Sequence, residues 1–217
     1  MLANHFYGRS LVFMSLVVEN PSLDPANRLA AELPQPAVPL FNRFYHFLCR
    51  EVHFSWTGSL HHTYRHCARV LLFTLVIGTA EQVAEGLVYD AALSAVFHDS
   101  RRQDDGYDVG HGLRAAHYYR QYALAHNHPF SGPVYAAIAL HDRDDALAIN
   151  HFHHLPDEKD YLTVWRLLKD ADALDRLRFG DAALDPRYLR TEAALNYIDK
   201  ARRIVRADLR RLATDGQ

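Results

Sequence analysis

The chain has 217 residues, 49% of them apolar and 23% charged, a balance that supports one ordinary core and excludes a disordered or collagen-like chain. Lys and Arg number 24 against 26 Asp and Glu, a formal charge of −2, so the molecule as a whole is not built to coat a polyanion. Two cysteines, Cys49 and Cys67, make neither a disulfide framework nor a four-thiolate zinc site and point to a reducing compartment. Histidine is the outlier, with 15 against 10 Gly and 9 Pro. Imidazole is the commonest metal ligand and the proton shuttle of neutral pH, so the count asks for a metal site.

Leu11–Val18 and Val70–Ile77 are the longest apolar runs, each far short of the roughly 20 residues that cross a bilayer. The first, behind Arg9, is similar to a secretory leader, but the following Glu19-Asn20-Pro21-Ser22-Leu23-Asp24 offers no A-x-A-like cleavage site. It is read as an N-terminal strand or packing arm, and a cytoplasmic protein with no membrane partner is expected. Residues 1–40 form an N-terminal extension and linker in this reading, and 41–217 one helical domain. Asp24-Pro25 caps a short helix to about Leu33, which Pro34-Gln35-Pro36-Ala37-Val38-Pro39 then breaks. Ser59 caps a helix from Leu60 to Ile77 that Gly78 ends, and another runs from Leu87 to His98. After a turn-rich loop over 99–109, helices follow near 111–126, 131–141, 158–179 and 187–213. The last opens at Asp185-Pro186, and its Ala194, Ile198, Ala201, Val205 and Leu212 recur at helical spacing. No alternating β-branched run competes, so the fold class is all-α, a compact helical bundle.

His98-Asp99 is the first candidate for chemistry. Adjacent residues on a helix point about 100° apart and do not normally share an ion, but at a helix end Asp99 is free to leave helical geometry. Ala91 to Phe97 before it are apolar enough to bury that end. A nitrogen and an oxygen donor presented together suit a divalent cation such as zinc, manganese, iron or magnesium. Taken alone, the dipeptide is as well explained by chance.

Two further segments change that reading: His66-Cys67-Ala68-Arg69-Val70 upstream, and Asp170-Ala171-Asp172-Ala173-Leu174 downstream. With His98-Asp99 between them, the chain resembles the HD-domain superfamily of metal-dependent phosphohydrolases over roughly residues 59–180. The resemblance implies a helical bundle with the site in its core, and it selects His66, His98, Asp99 and Asp172 as metal ligands. His61 and His62 then belong to a polar helix start near the site, and Asp170 to the helix surface or to the surroundings of the ligands. His111 and His141 resemble the extra histidines of two-metal members, where a second ion clamps the attacking and leaving oxygens of phosphorus. The expected cofactor is one or two divalent ions drawn from Mn, Mg, Zn, Co, Ni and Fe.

Arg101 and Arg102 follow Asp99, and a guanidinium grips phosphate through two parallel hydrogen bonds. Arg102 stands three residues after the aspartate, where many HD hydrolases place lysine. Alarmone hydrolases and deoxynucleotide 5′-nucleotidases of the superfamily place glutamate there, which puts both activities in doubt. Asp99 and Arg102 are the catalytic candidates. Gly110-x-Gly112-x-x-Ala115 follows an acidic turn rather than a strand and is no dinucleotide fingerprint. The basic last helix reads as a solvated face, with nucleic-acid contact the weaker alternative. Cys67 reads as a small core residue. The leading function is hydrolysis of a phosphate ester or anhydride, of a nucleotide or another small phosphorylated metabolite, by a chain that an oligomer would also suit. The alternatives are an HD-fold di-iron oxygenase of the myo-inositol oxygenase type, using the same six ligands, and a non-catalytic helical interaction domain.

Overall fold

Helical periodicity governs the chain from residue 25 onward. The computed structural model describes residues 25–59 and 61–215; the arm expected over Leu11–Val18 lies outside the described residues. Its helices are α1 (Pro25–Ala30), α2 (Val38–Glu51), α3 (Tyr64–Ala80), α4 (Glu85–Phe97), α5 (His111–Ala125), α6 (Gly132–Leu140), α7 (Asp145–Phe152), α8 (Glu158–Asp175) and α9 (Glu192–Asp215). Among the described residues there is no strand, and no helix long and apolar enough to cross a membrane.

The centre is α3, buried continuously from His66 to Gly78. A helix apolar on every side belongs inside, surrounded by others, and α4, α8, α2 and α9 pack around it. The inner half of α4, Ala91 to Phe97, is equally buried, and its alanines at 91, 92 and 95 let neighbouring backbones approach. α6 fills the space between α4 and α8, with α5 laid against it. Because α3, α4, α6 and α8 meet in this way, a residue placed near the same end of each faces a common point.

Helix boundaries depart from the sequence reading where side chains compete with the backbone. The proposed linker over 34–39 holds a 3₁₀ turn, Gln35–Ala37, and then the start of α2, with Pro39 in the first helical turn. Proline is at home there because the first N–H groups have no intrahelical partner. Ala26, Leu29, Ala30 and Leu33 are buried in the same apolar cluster as α3. Ser59 does cap, but it caps a turn: its Oγ accepts from the backbone N–H of His61 and His62 at 3.1 and 2.6 Å, and the helix begins only at Tyr64. Likewise Asp185-Pro186 opens a 3₁₀ turn, Pro186–Tyr188, rather than α9. α7, which periodicity did not single out, starts where the Asp144 side chain accepts from Ala146 N.

Asp170 shows how the end of this cap region is held. The carboxylate, expected near the surface or beside the ligands, is fully buried. It accepts from the backbone N–H of Arg190 and Thr191, from Thr191 Oγ1 and from Arg190 Nη1, all at 2.8–3.1 Å. Asp170→Ala leaves those donors and the Arg190 charge uncompensated. It is expected to lower unfolding stability by about 3–5 kcal/mol, read as a shift in denaturant midpoint, whereas a surface carboxylate would cost under about 0.5 kcal/mol.

Candidate metal centre

The six proposed ligands meet in one place. His66 stands in the first turn of α3, His98 is the cap residue ending α4 with Asp99 next to it, His111 opens α5, His141 ends α6 and Asp172 lies on α8. His66 and His98 are fully buried and Asp99, His111 and His141 nearly so, while Asp172 is 31% exposed and faces an open cleft of about 790 Å³. Asp99 and His98 share the site because the helix stops between them, as the sequence required.

Asp99 sits between two imidazole pairs. Its Oδ2 lies 3.3 Å from His66 Nε2 and 3.9 Å from His98 Nε2. Its Oδ1 lies 2.9 Å from His111 Nε2 and 3.6 Å from His141 Nε2. Asp172 Oδ1 completes the first group, 3.4 Å from His66 Nε2 and 4.0 Å from His98 Nε2. The two oxygens of one carboxylate thus turn to two different clusters.

The opposite ring nitrogens are all engaged. His98 Nδ1 lies 2.8 Å from Ala95 O, His111 Nδ1 2.6 Å from Asp108 O and His141 Nδ1 2.7 Å from Ile138 O. His66 Nδ1 lies 2.7 Å from Asp175 Oδ2. Each partner is an acceptor, so each Nδ1 carries a hydrogen and each ring turns Nε2 inward. Yet His66 and His98 Nε2 are 3.1 Å apart, and His111 and His141 Nε2 2.9 Å apart, with carboxylate oxygens alongside. Acceptors crowded this closely in a buried place repel unless positive charge lies among them. Burial, against the pull of Asp99, pushes His98 down to about 3, so that ring does not supply it. Burial also works against a charge on His66 and His111, but Asp175 and Asp99 raise the former and Asp99 the latter. Asp99 itself, despite burial, is held well below the usual carboxylate range by His98, His111, His141 and His66. Nitrogen and carboxylate donors with fixed partners behind them fit divalent cations. Two groups are close enough to coordinate one: His66, His98 and Asp172, and His98, Asp99 and His141, the donor atoms of each lying within 4.8 Å of one another.

Backbone features hold the second cluster together. Gly110 precedes α5 at φ +99°, a conformation in which a Cβ is strained. A Cβ at Gly112 would sit 2.6 Å from Ile138 O and 2.8 Å from Asp142 Oδ1, so the start of α5 and the end of α6 touch only because that side chain is absent. Asp142 Oδ2 accepts from Gly110 N at 2.5 Å and Gly112 N at 3.3 Å. Its Oδ1 is buried without a hydrogen bond, beside His141 in sequence and lining the cleft.

The arginines divide. Arg101 lies over the Tyr118 ring, 3.3 Å from its centroid, and donates to His53 O, away from the cleft. Arg102 lines the cleft, but its Nη2 donates to Gly106 O at 2.7 Å and its Nε to Asp104 O at 3.3 Å. Its Nη1 faces the metal cluster, 3.8 Å from Asp99 Oδ1 and 3.3 Å from both ring nitrogens of His111. Cys67 is buried, and burial with Asp99 and Asp172 pushes its thiol well up. It remains a core residue.

Sequence reasoning missed the residues behind the ligands. Asp175, besides holding His66, accepts from Arg69 Nε at 2.6 Å and Nη2 at 3.0 Å, and Arg69 Nη1 reaches Asp208 on α9 at 2.5 Å. Arg69 three residues after His66 and Asp175 three after Asp172 share their helix faces, which was the available signal. Lys169 Nζ bridges His141 O and Arg143 O at 3.0 Å each.

Comparison of the chain with protein-family models, curated proteins and solved structures finds no match. The all-helical fold with two His/Asp clusters is consistent with an HD-domain-like architecture. Asp99→Ala removes the shared carboxylate and is expected to empty both clusters, while His141→Ala lowers the metal count per chain from two to one. Asp172→Asn is expected to weaken metal binding about 10–100-fold, and Asp170→Asn to leave it at the parent value. Elemental analysis with titration of added metal reads all four; full occupancy in Asp99→Ala contradicts the arrangement.

Proposed function

We propose that this chain is a metal-dependent phosphohydrolase that cleaves a phosphate ester or anhydride of a small metabolite. The observation that carries the reading is Asp99, whose two oxygens serve two imidazole clusters at the floor of a cleft open to water. His66, His98, Asp99 and Asp172 would hold one ion and His111 and His141, with the other oxygen of Asp99, a second. Divalent ions so held supply Lewis acidity, which acidifies water and polarises phosphoryl oxygens.

The chain's own residues then have separate tasks. Asp175 fixes the His66 ring and its tautomer, and the carbonyls of Ala95, Asp108 and Ile138 fix the other three. Arg102 Nη1 offers one charged donor beside Asp99. Arg143 and Arg178 line the same cleft. Arg178 is 6% exposed and its Nη1 donates to Asp175 O and Oδ2 at 3.2 and 3.3 Å, so it adds positive charge at the cleft wall.

The six-ligand set also serves di-iron chemistry, so the test must separate the two. Purified protein is stripped of metal, reloaded with Mn, Co, Mg, Zn, Ni or Fe, and screened against phosphorylated metabolites for phosphate release and in parallel for oxygen uptake. Phosphate release restored by a divalent ion and abolished by chelation is the expected result. Two irons per chain with substrate-dependent oxygen uptake and no phosphate release replaces this reading with the oxygenase.

A further inference from the structure

The fold turns Arg101 away from the metal centre and towards a second hollow of about 360 Å³, lined by Ser55, Trp56, Arg101, Arg102, Gln103 and Arg114. No carboxylate lines it among the described residues, whereas eight aspartates line the main cleft. Its walls are fixed to one another. Ser55 N donates to Ser100 O at 3.0 Å and Ser55 Oγ to Arg102 O at 2.8 Å, which pins the segment carrying Trp56 to the segment carrying Arg101 and Arg102. Arg114 Nε donates to Arg101 O at 3.1 Å and seats the start of α5 on the same backbone.

The three guanidiniums differ in what they have left to offer. Arg102 has Nε and Nη2 committed to Asp104 O and Gly106 O, so it brings charge rather than bonds. Arg114 Nη2 holds both oxygens of Asp108, a residue of the main cleft, at 2.6 and 2.5 Å, and its Nη1 makes no hydrogen bond to a described residue. Arg101 pairs with no carboxylate among the described residues. It meets the Tyr118 ring and the carbonyls of His53 and Ser100, and burial lowers its guanidinium from the ordinary value against the pull of Tyr118. Positive groups gathered with no negative charge among them repel unless an anion joins them. We infer that this hollow is a second anion site, separate from the metal centre, that takes a phosphoryl group. A tetrahedral dianion turns three oxygens outward, enough for Arg101 and Arg114 together with the Arg102 charge behind them, whereas a carboxylate offers two oxygens in one plane. Trp56 gives the wall an aromatic face, so the group is expected at the end of a metabolite rather than as the free ion. The site stands whether or not the chain is a hydrolase.

Trp56 is a built-in reporter, since the other tryptophan, Trp165, is buried in the core. The metal-loaded chain is titrated with phenylphosphonate, inorganic phosphate and acetate while tryptophan fluorescence is followed. A saturable change with phenylphosphonate is expected, absent in Trp56→Phe and at least about tenfold weaker with acetate. Arg101→Gln is expected to weaken it about tenfold or more, and Arg101→Lys, which keeps the charge, by less. Arg114→Gln carries the same test should Arg101→Gln fail to fold. The response is expected to persist after the metals are chelated. A response that chelation abolishes puts the anion on the metals and overturns the second site. No saturable change in the parent, or Arg101→Gln and Arg114→Gln that both bind as the parent does, overturns it as well. Acetate binding as tightly as phenylphosphonate overturns the phosphoryl assignment. Phosphate binding more tightly than phenylphosphonate upholds the site and assigns it to the free ion.

Discussion

Crowded lone pairs are the constraint on which the centre depends. Four imidazoles point Nε2 inward because each Nδ1 is committed to an acceptor behind it, and a buried array of acceptors is stable only around positive charge. The surrounding apolar residues make the demand stricter. They deny the cluster water, and burial, with the neighbouring His66 and His141, brings His98 to about 3. His98 thus keeps its lone pair at neutral pH and is a ready ligand.

The fold meets this constraint with one local device used three times and one distant device used once. His98, His111 and His141 each direct Nδ1 to the carbonyl three residues earlier, Ala95, Asp108 and Ile138. The carbonyls of Ala95 and Ile138 are spare because the last four of a helix lack intrahelical donors, and that of Asp108 because it lies in the loop ahead of α5. His66 stands in the first turn of α3, and the carbonyl three residues before it, Thr63 O, already accepts from Cys67 N. Its orientation has to come from elsewhere, and Asp175, 109 residues away in sequence, provides it. Arg69 then neutralises Asp175 and ties it to Asp208, so the long C-terminal helix is connected to the first ligand through buried charges.

This division explains what could be read from the sequence. His98-Asp99 at the end of an apolar helix, and His111 and His141 at helix borders, were legible because their geometry is set by neighbours within three residues. Asp172 was separable from Asp170 only by motif, and the structure gives each a distinct surrounding: Asp172 faces the cleft, and Asp170 satisfies the turn at Arg190 and Thr191. For Arg69 and Asp175 only the three-residue spacing from His66 and Asp172 was legible; their contacts depend on how α3 and α8 are brought together. Helix starts failed for a related reason. Ser59 and Asp185 carry cap chemistry, but their side chains stabilise turns as readily as helices, and nothing local decides which follows.

Charge at the cleft ties the metal centre to its surroundings. Eight aspartates line it against six Arg or Lys residues, so without bound cations an approaching phosphate meets net negative charge. Several of the six are already committed: Arg190 to Asp145 and Asp170, Lys169 to Asp145 and two carbonyls, and Arg102 to its own loop. In the proposed hydrolase two divalent ions would bring four positive charges and reverse the sign at the floor, where attraction is strongest because water is excluded. An anionic substrate would then be drawn to the place where the ligands converge. The acidic lining, which on its face argues against a phosphate site, is what a phosphate site requires when its positive charge is to be borrowed from metal ions.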